Sequence, residues 1–269
     1  MNSHGVPPVL WLLGALLVGA GLLIYGLISR RVFDSGGRVD VRPLGPADLV
    51  AGSVLTLWFF SIVTHGFDGP RRPVQNSDLT ETAAFISLIV ITLVSFLHFR
   101  KIRVLHLLGL HTVPLWRAAG LALGLLAAAY PLIGAASYAM ERGLGVDADR
   151  QEIVSFFSEA ARHSNFRTVI VTMLLGMVLA PIAEEFIFRG YLYGIFKRYF
   201  GMFTGTLLNA ALFACFHLNL MSLPGLSILA ICLTLAYELT GTIAVPMFMH
   251  AMFNSLTFAA LLSDAGLTR

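Results

Sequence analysis

Charged residues are scarce in this chain: Asp, Glu, Lys and Arg make up 12% of its 269 residues. An ordinary soluble domain carries about twice that share, whereas 57% of the residues here are hydrophobic. A single aqueous core cannot bury so much apolar surface in a chain of this length. The composition therefore excludes an ordinary water-soluble protein and predicts a chain surrounded by lipid.

Cysteine is rarer still. The chain has two, Cys215 and Cys232, both inside apolar runs and neither in a Cys-x-x-Cys pattern. This pattern excludes a disulfide framework and a thiolate metal site. The net charge of +3 does not indicate nucleic acid as a partner, because the basic residues occur singly or in pairs at the ends of apolar runs.

Long apolar runs are abundant, and eight of them predict membrane helices, since about 20 apolar residues in a helix cross roughly 30 Å of hydrocarbon. The first run follows no basic leader, so we expect it to remain as a membrane helix. The expected fold is an all-α polytopic helix bundle, with residues 1–269 forming a single membrane domain. The predicted spans are about 8–28, 47–66, 82–99, 117–139, 168–196, 202–219, 224–240 and 242–262.

Basic residues assign the sides of the membrane, because short cytoplasmic loops carry an excess of Lys and Arg. Three predicted loops are basic, and they follow spans one, three and five. We expect these loops in the cytoplasm and both chain termini outside, in a multi-pass protein of the cell membrane. The basic residues are Arg30, Arg31, Arg38 and Arg42 in the first loop, Arg100, Lys101 and Arg103 in the second, and Lys197 and Arg198 in the third.

One segment between the fourth and fifth spans has the periodicity of an amphipathic helix. Its polar residues Glu152, Glu159 and Arg162 lie on other faces than its apolar ones. Such a helix either lies on the membrane surface or caps the bundle, and both interpretations are open. The apolar face consists of Ile153, Phe156, Phe157 and Ala160.

The fifth span places two acids and a base in an apolar helix: Glu184, Glu185 and Arg189. Each such charge costs roughly 2.5–3.5 kcal/mol near the bilayer centre, which argues against accidental placement. Glu185 and Arg189 are four residues apart, in the order that favours an ion pair. Glu184 is rotated by about 100° and is available as a general base. A buried packing network of all three charges is the alternative. Pro181 should bend the helix and free a backbone carbonyl.

Two later spans each bring one histidine into apolar surroundings, His217 and His250. A lone buried histidine is more often a core residue than a ligand, but two of them beside a helix with two acids indicate a site. Asn254 lies one turn beyond His250, where it can hydrogen-bond the ring or an oxyanion. Glu238, near the end of span seven, is either interfacial or lines the cavity.

Three segments, EEFIFR, FACFH and HAMFN, begin at Glu184, Phe213 and His250. They resemble the EExxxR, FxxxH and HxxxN motifs of the type II CAAX prenyl protease, or CAAX protease and bacteriocin-processing, family of intramembrane endopeptidases. The resemblance covers residues 168–262, the expected catalytic core. It implies that Glu184 activates water, with Glu185 and Arg189 as a supporting pair. It further implies that His217, His250 and Asn254 bind water and stabilise an oxyanion.

The resemblance leaves the cofactor open. Glu184, His217 and His250 would give zinc three ligands with an open fourth position; a metal-free version has Glu184 and His217 holding the water. The implied partner is a peptide or protein substrate, for which a prenylated C-terminal tail is one candidate. A non-catalytic scaffold or bacteriocin self-immunity protein of the same fold is the alternative function. A proton-coupled transporter is a third, but the chain shows no inverted repeat.

Overall fold

The computed structural model describes residues 7–68, 75–144, 152–163 and 165–264 of the chain. These residues form helices and connecting loops without any strand, which confirms the all-α prediction. In chain order the helices are α1 (Pro8–Ser35), α2 (Pro46–Asp68), α3 (Asn76–Phe99), α4 (Val104–Leu107), α5 (Leu115–Leu144), α6 (Glu152–Arg162), α7 (Phe166–Phe200), α8 (Met202–Phe216), α9 (Leu223–Thr240) and α10 (Ala244–Asp264).

Seven helices of the described ranges are long and apolar enough to cross a membrane. The predicted sixth span, 202–219, is the exception, because α8 ends at Phe216 after 15 residues. A helix of that length covers about 22 Å, less than the hydrocarbon core. Leu218 ends it by adopting a left-handed backbone conformation with φ of 52°. The Asn219 side chain then accepts a hydrogen bond from the Ser222 N–H and closes the turn into α9.

Large apolar side chains are exposed on most of the long helices, and α1 carries the largest number of them. Only 11% of the most apolar windows of α1 and α3 is buried inside the protein. Leu23 of α1 and Leu88 of α3 are both more than half exposed. Such surfaces are stable only against lipid tails, and the chain is therefore a multi-pass membrane protein.

Helix α9 forms the centre of the bundle, with 67% of its apolar window buried. It packs against α1, α5, α8 and α10. Its buried side chains include Leu229, Leu233 and Tyr237, which are almost completely inaccessible to solvent. This central helix contacts both α8 and α5, and α10 packs directly against α7 as well as against α9.

Helix α6 caps one end of the bundle. Its residues Phe157 and Ala160 are buried in a small cluster with Val169 of α7 and Leu261 of α10. The Phe157 ring also contacts Phe258 edge to face at 4.7 Å. These contacts favour the interpretation in which the amphipathic segment caps the bundle over the one in which it lies on the membrane surface. The burial of Ile153 lies outside the described residues.

The three basic loops meet at the opposite end of α7, called here the basic end. Lys197 donates hydrogen bonds to the carbonyls of Gly36 and Val39, at 3.3 and 3.1 Å. Arg100 forms a 3.0 Å ion pair with Asp48, which is completely buried near the start of α2. The loops after α1, α3 and α7 therefore lie on the same side of the bundle, as their charge predicts.

The turn between α9 and α10 lies beneath these loops. The Ile243 N–H donates to the Leu108 carbonyl at 2.9 Å, and the Arg38 N–H donates to the Glu238 carbonyl at 3.0 Å. Thr242 and Ile243 are completely buried. Helix α10 therefore starts below the surface of the basic end, which carries His250 deeper into the bundle than counting from the turn suggests.

Candidate active site

Helix α7 changes its winding on both sides of the two acids. Leu175–Leu179 and Phe186–Leu192 are π-helical, and Ala180–Glu185 between them is α-helical. Short π-helical segments inside α-helices occur frequently at functional sites. The altered winding sets the directions in which Glu184, Glu185 and Arg189 leave the helix.

Pro181 accounts for one free carbonyl in this region. The Ala180 N–H donates to Leu175 O, five residues earlier. Gly176 O would be paired in the same register with residue 181, but proline has no N–H. The Asn254 amide nitrogen of α10 donates to this carbonyl at 2.7 Å. The side chain of Asn254 therefore joins α10 to α7 through the carbonyl that Pro181 leaves unpaired.

Glu185 and Arg189 form the ion pair that their spacing predicts. Arg189 Nη1 lies 2.9 Å from Glu185 Oε1, and both side chains are completely buried. The guanidinium carbon lies 4.2 Å from the centre of the Phe213 ring, and Nη2 donates to the Ala230 carbonyl at 3.4 Å. The Phe213 contact was not foreseen from the sequence, although its place four residues before His217 puts it on the same helix face. A buried cation over an aromatic face is stabilised there.

Each histidine is oriented through its Nδ1 atom. His250 Nδ1 donates to Glu185 Oε1 at 2.9 Å, and His217 Nδ1 donates to the Phe213 carbonyl at 2.8 Å. These partners are acceptors, so in the neutral rings the proton resides on Nδ1 and Nε2 carries the lone pair. Both rings therefore present Nε2 as an acceptor.

Both Nε2 atoms face Glu184. Its Oε2 lies 3.9 Å from His217 Nε2 and 3.9 Å from His250 Nε2, and it has no hydrogen-bond partner among the described residues. A separation of 3.9 Å is too long for a direct hydrogen bond and short enough for a bridging water. The side chains of Glu184 and His217 are 18% and 20% exposed, against 4% for His250. The site therefore opens on the side of Glu184 and His217.

The predicted metal ligands Glu184, His217 and His250 converge but do not form a metal centre. Tetrahedral zinc with bonds of about 2.0–2.1 Å holds its ligand atoms roughly 3.4 Å apart, closer than the 3.9 Å found here. Across the described part of the chain, no group of three His, Cys, Asp or Glu side chains is placed to hold a metal ion. The donor set as it stands does not fit a resident zinc.

The structure thus brings five of the six predicted site residues into one cluster: Glu184, Glu185, Arg189, His217 and His250. Asn254 lies one turn beyond His250, and its observed bond is to Gly176 rather than to the ring. In a regular α-helix Pro181 would leave the carbonyl of Met177 unpaired, four residues earlier, and only the π register moves this role to Gly176. This residue is invisible to a search for side-chain chemistry because it contributes only its carbonyl.

Glu238 does not line the cavity of the acids and histidines. Its side chain is buried at the basic end, away from the acids and histidines. Oε1 accepts hydrogen bonds from Tyr193 at 2.6 Å and Lys197 at 2.7 Å. Oε2 accepts a bond from the Val39 N–H at 3.1 Å. Glu238 is thus a buried structural carboxylate that joins α9 to α7 and to the loop after α1.

Comparison with known proteins identifies the region that contains this site. Residues 166–256 match the sequence model of the type II CAAX prenyl endopeptidase Rce1-like family. This match confirms the resemblance inferred from the three motifs and includes all six candidate residues. The C-terminal part of this multi-pass membrane protein is therefore similar to the type II CAAX prenyl endopeptidase family.

A curated relative extends the comparison. An Escherichia coli protein described as an uncharacterized 24.3 kDa protein is 29% identical over 106 residues, which cover 38% of this chain and 49% of that relative. The chain thus spans about half the length of the relative. No solved structure matches the chain.

Proposed function

We propose that this protein is an intramembrane endopeptidase that hydrolyses a peptide bond with water activated by Glu184. The observation that carries the proposal is the position of Glu184 Oε2, which faces two histidine Nε2 atoms at equal distances of 3.9 Å. Three acceptors around one point suit a water molecule, which can donate to two of them. Proton removal by such a carboxylate typically contributes about 10²–10⁴-fold to the rate.

The reaction proceeds in two proton transfers. Glu184 removes one proton from the water while its oxygen attacks the carbonyl carbon of the scissile bond, and a histidine Nε2 accepts a hydrogen bond from the remaining O–H. The carbon–nitrogen bond then breaks, and Glu184 returns the proton to the departing amine. The products are a carboxylic acid and an amine, and Glu184 ends in its starting state. This glutamate-dependent route requires no metal-bound step.

Supporting residues hold these groups in place. Arg189 fixes Glu185, which accepts the His250 Nδ1–H and so turns Nε2 toward Glu184. Asn254 uses one amide hydrogen on Gly176 O, and an amide nitrogen has two hydrogens. The second hydrogen is our candidate donor to the oxyanion of the tetrahedral intermediate.

The proposed substrate is an extended protein tail, with a prenylated C-terminal tail as the leading class. The family description names CAAX prenyl endopeptidases, and a lipid-modified tail suits a site inside a membrane protein. The basic end, with Lys197 and Arg198, is assigned to the cytoplasm of a cell membrane. Substrates would then be proteins whose tails are reachable from that side.

The test compares two single neutralisations in purified, detergent-solubilised protein. The substrates are a farnesylated CAAX-type peptide and its unprenylated counterpart, and product masses report whether a tripeptide is released. Glu184→Gln should lower cleavage by at least 10²-fold with an unchanged melting temperature. Glu159→Gln on α6, where the acid is exposed, is the matched control and should keep full activity. Near-normal cleavage by Glu184→Gln would remove Glu184 as the base.

A further inference from the structure

We propose that Glu238 is a positioning residue that fixes the catalytic helix α7 against the α9–α10 hairpin and thereby sets the contact between Glu185 and His250. The inference rests on the proposed function for its effect on cleavage, but not for its effect on the histidine. Glu238 touches none of the reacting groups. It lies on α9, three residues before the turn that leads into the helix of His250.

Polar contacts hold α7 at both ends of the stretch from Glu185 to Lys197, and Glu238 makes those at the Lys197 end. Its Oε1 accepts hydrogen bonds from Tyr193 at 2.6 Å and from Lys197 at 2.7 Å. At the other end, Glu185 of α7 accepts the His250 Nδ1–H at 2.9 Å. Lys197 and Glu185 lie at most about 18 Å apart along the helix axis, because the α-helical rise is 1.5 Å per residue and the π-helical stretch Phe186–Leu192 rises less. Together with the 2.7 Å bond from Asn254 to Gly176 O near the site, these short polar contacts define the axial position of α7 relative to the hairpin, and Glu238 supplies those at the basic end.

The contact between these two anchors is weaker. Arg189 Nη2 reaches the Ala230 carbonyl at 3.4 Å, longer than the bonds to Glu238. This bond is already close to the limit of hydrogen-bond distance, so it does little to prevent α7 from sliding or tilting. A similar shift of α7 relative to His250 would change the distances from the His250 ring to Glu185 and to Glu184. Misplacement by about 1 Å can cost 10²-fold in rate.

The loop after α1 encloses the Glu238 carboxylate. Gly36 and Gly37 have left-handed φ values of 75° and 71°, and a Cβ at Gly37 would collide with the carboxylate itself. The Val39 N–H bonds Oε2, and the Arg38 N–H bonds the Glu238 main-chain carbonyl. The carboxylate thus has three donors and is 1% exposed. Burial makes charge-assisted bonds of this kind strong and directional.

Glu238→Gln tests the proposal, because its NH₂ group must face one of the donors that the carboxylate now accepts from. Asp48→Asn is the matched control. Asp48 is a buried acid at the same end, and its side chain binds Gly45 and Arg100, which lie on neither α7 nor the hairpin. Its hydrogen bond with α7 is made by the main-chain carbonyl, which accepts a 3.4 Å bond from Tyr191 and is unchanged in Asp48→Asn. We expect kcat to fall by about 10–100-fold in Glu238→Gln and by less than threefold in Asp48→Asn, at comparable losses of melting temperature. Equal falls in kcat in Glu238→Gln and Asp48→Asn would show that Glu238 contributes only to stability.

A second readout needs no substrate. In histidine-labelled protein, the His250 Nδ1–H proton, assigned by its loss in His250→Gln, should resonate downfield and exchange slowly with water. Glu238→Gln should move this signal upfield and speed its exchange, whereas Asp48→Asn should leave it in place. Tyr193→Phe, which removes one donor only, should act in the same direction and serves if Glu238→Gln does not fold. An unmoved signal in a folded variant overturns the proposal. If Glu238→Gln moves the signal but the unmodified protein cleaves neither peptide, the positioning role is upheld and the proposed function is refuted.

Discussion

At the scale of the residue, the site consists of side chains held by hydrogen bonds and an ion pair around the Glu184 carboxylate. Arg189 holds Glu185, Glu185 holds His250, and Phe213 holds His217 through its carbonyl. Glu184 Oε2 and Glu185 Oε2 both lack a hydrogen-bond partner within the described ranges, but Glu185 is held through its Oε1 by Arg189 and His250. Adjacent residues on one helix thus have opposite tasks, because a rotation of about 100° directs them to different neighbours.

The first residue-scale prediction concerns the stability of the ion pair. Glu185→Gln leaves the completely buried Arg189 without its counter-charge, and breaking such a pair costs about 3–5 kcal/mol. We expect a clearly lower melting temperature in detergent than for Glu184→Gln. The double variant Glu185→Gln/Arg189→Met should recover most of the loss, since both charges are gone. Equal melting of the two single variants would contradict the assignment of separate roles.

The second residue-scale prediction concerns metal. The glutamate-dependent reaction predicts that purified active protein contains far less than one equivalent of zinc and keeps its activity after dialysis against a chelator. Elemental analysis and peptide cleavage on the same sample provide the measurement. One equivalent of zinc, lost together with activity and restored with it, would require the site to contract around Glu184, His217 and His250.

Much of the residue-scale arrangement could be predicted from the sequence. Four-residue spacing is enough to pair Glu185 with Arg189, and the cost of charge in an apolar helix is enough to single out the segment. The bond from Asn254 to Gly176 and the place of Phe213 under Arg189 could not be predicted. Both depend on how α7, α8 and α10 approach one another, which no local pattern encodes.

At the scale of the element, Pro181 shapes α7. It removes an N–H from a helix that is already π-wound at Leu175–Leu179, and the unpaired carbonyl of Gly176 recruits Asn254 from another helix. An unpaired carbonyl in a bilayer is costly because no water can replace the missing donor. Because Pro181 leaves the Gly176 carbonyl unpaired, a hydrogen bond forms there between α7 and α10.

This link gives the element-scale prediction. Asn254→Ala leaves Gly176 O without its donor and should destabilise the protein by about 1–3 kcal/mol. In a Pro181→Ala background, residue 181 regains an N–H that can serve the same carbonyl, so the loss caused by Asn254→Ala should be smaller. A double-mutant cycle of melting temperatures measures this coupling. Strictly additive effects would show that the two residues act independently.

Helix α8 shows where element-scale prediction failed. Its apolar run continues through residue 219, which suggested a full span, but the helix ends at Phe216. The left-handed Leu218 and the Asn219 turn override the apolar pattern. The short helix places His217 at its C-terminal end, opposite Glu184 in the middle of α7. The approach of the two histidines follows from this ending and from the buried start of α10.

At the scale of the whole molecule, the bundle has two unlike ends. The basic end is closed by loops that bind α7 through Lys197 and cover the α9–α10 turn through Leu108. The other end is capped by α6, with Phe157 buried against α10. The site lies between them, and among its described residues Glu184, His217 and Asn254 are partly exposed. Which end faces the cytoplasm therefore decides which proteins can be substrates.

The last prediction tests that orientation. Ser35 lies at the end of α1 beside the basic loops, and His163 follows α6 at the other end; both are exposed. Single cysteines at these positions, in a background with Cys215 and Cys232 replaced by alanine, can be probed on intact cells with a membrane-impermeant thiol reagent. The positive-inside rule predicts labelling at residue 163 and none at residue 35 until the membrane is permeabilised. The reverse pattern would place the basic end outside and exclude cytoplasmic protein tails as substrates. Labelling at both positions in intact cells would mean that the chain inserts in two orientations, so that only a fraction of the molecules could meet a cytoplasmic substrate.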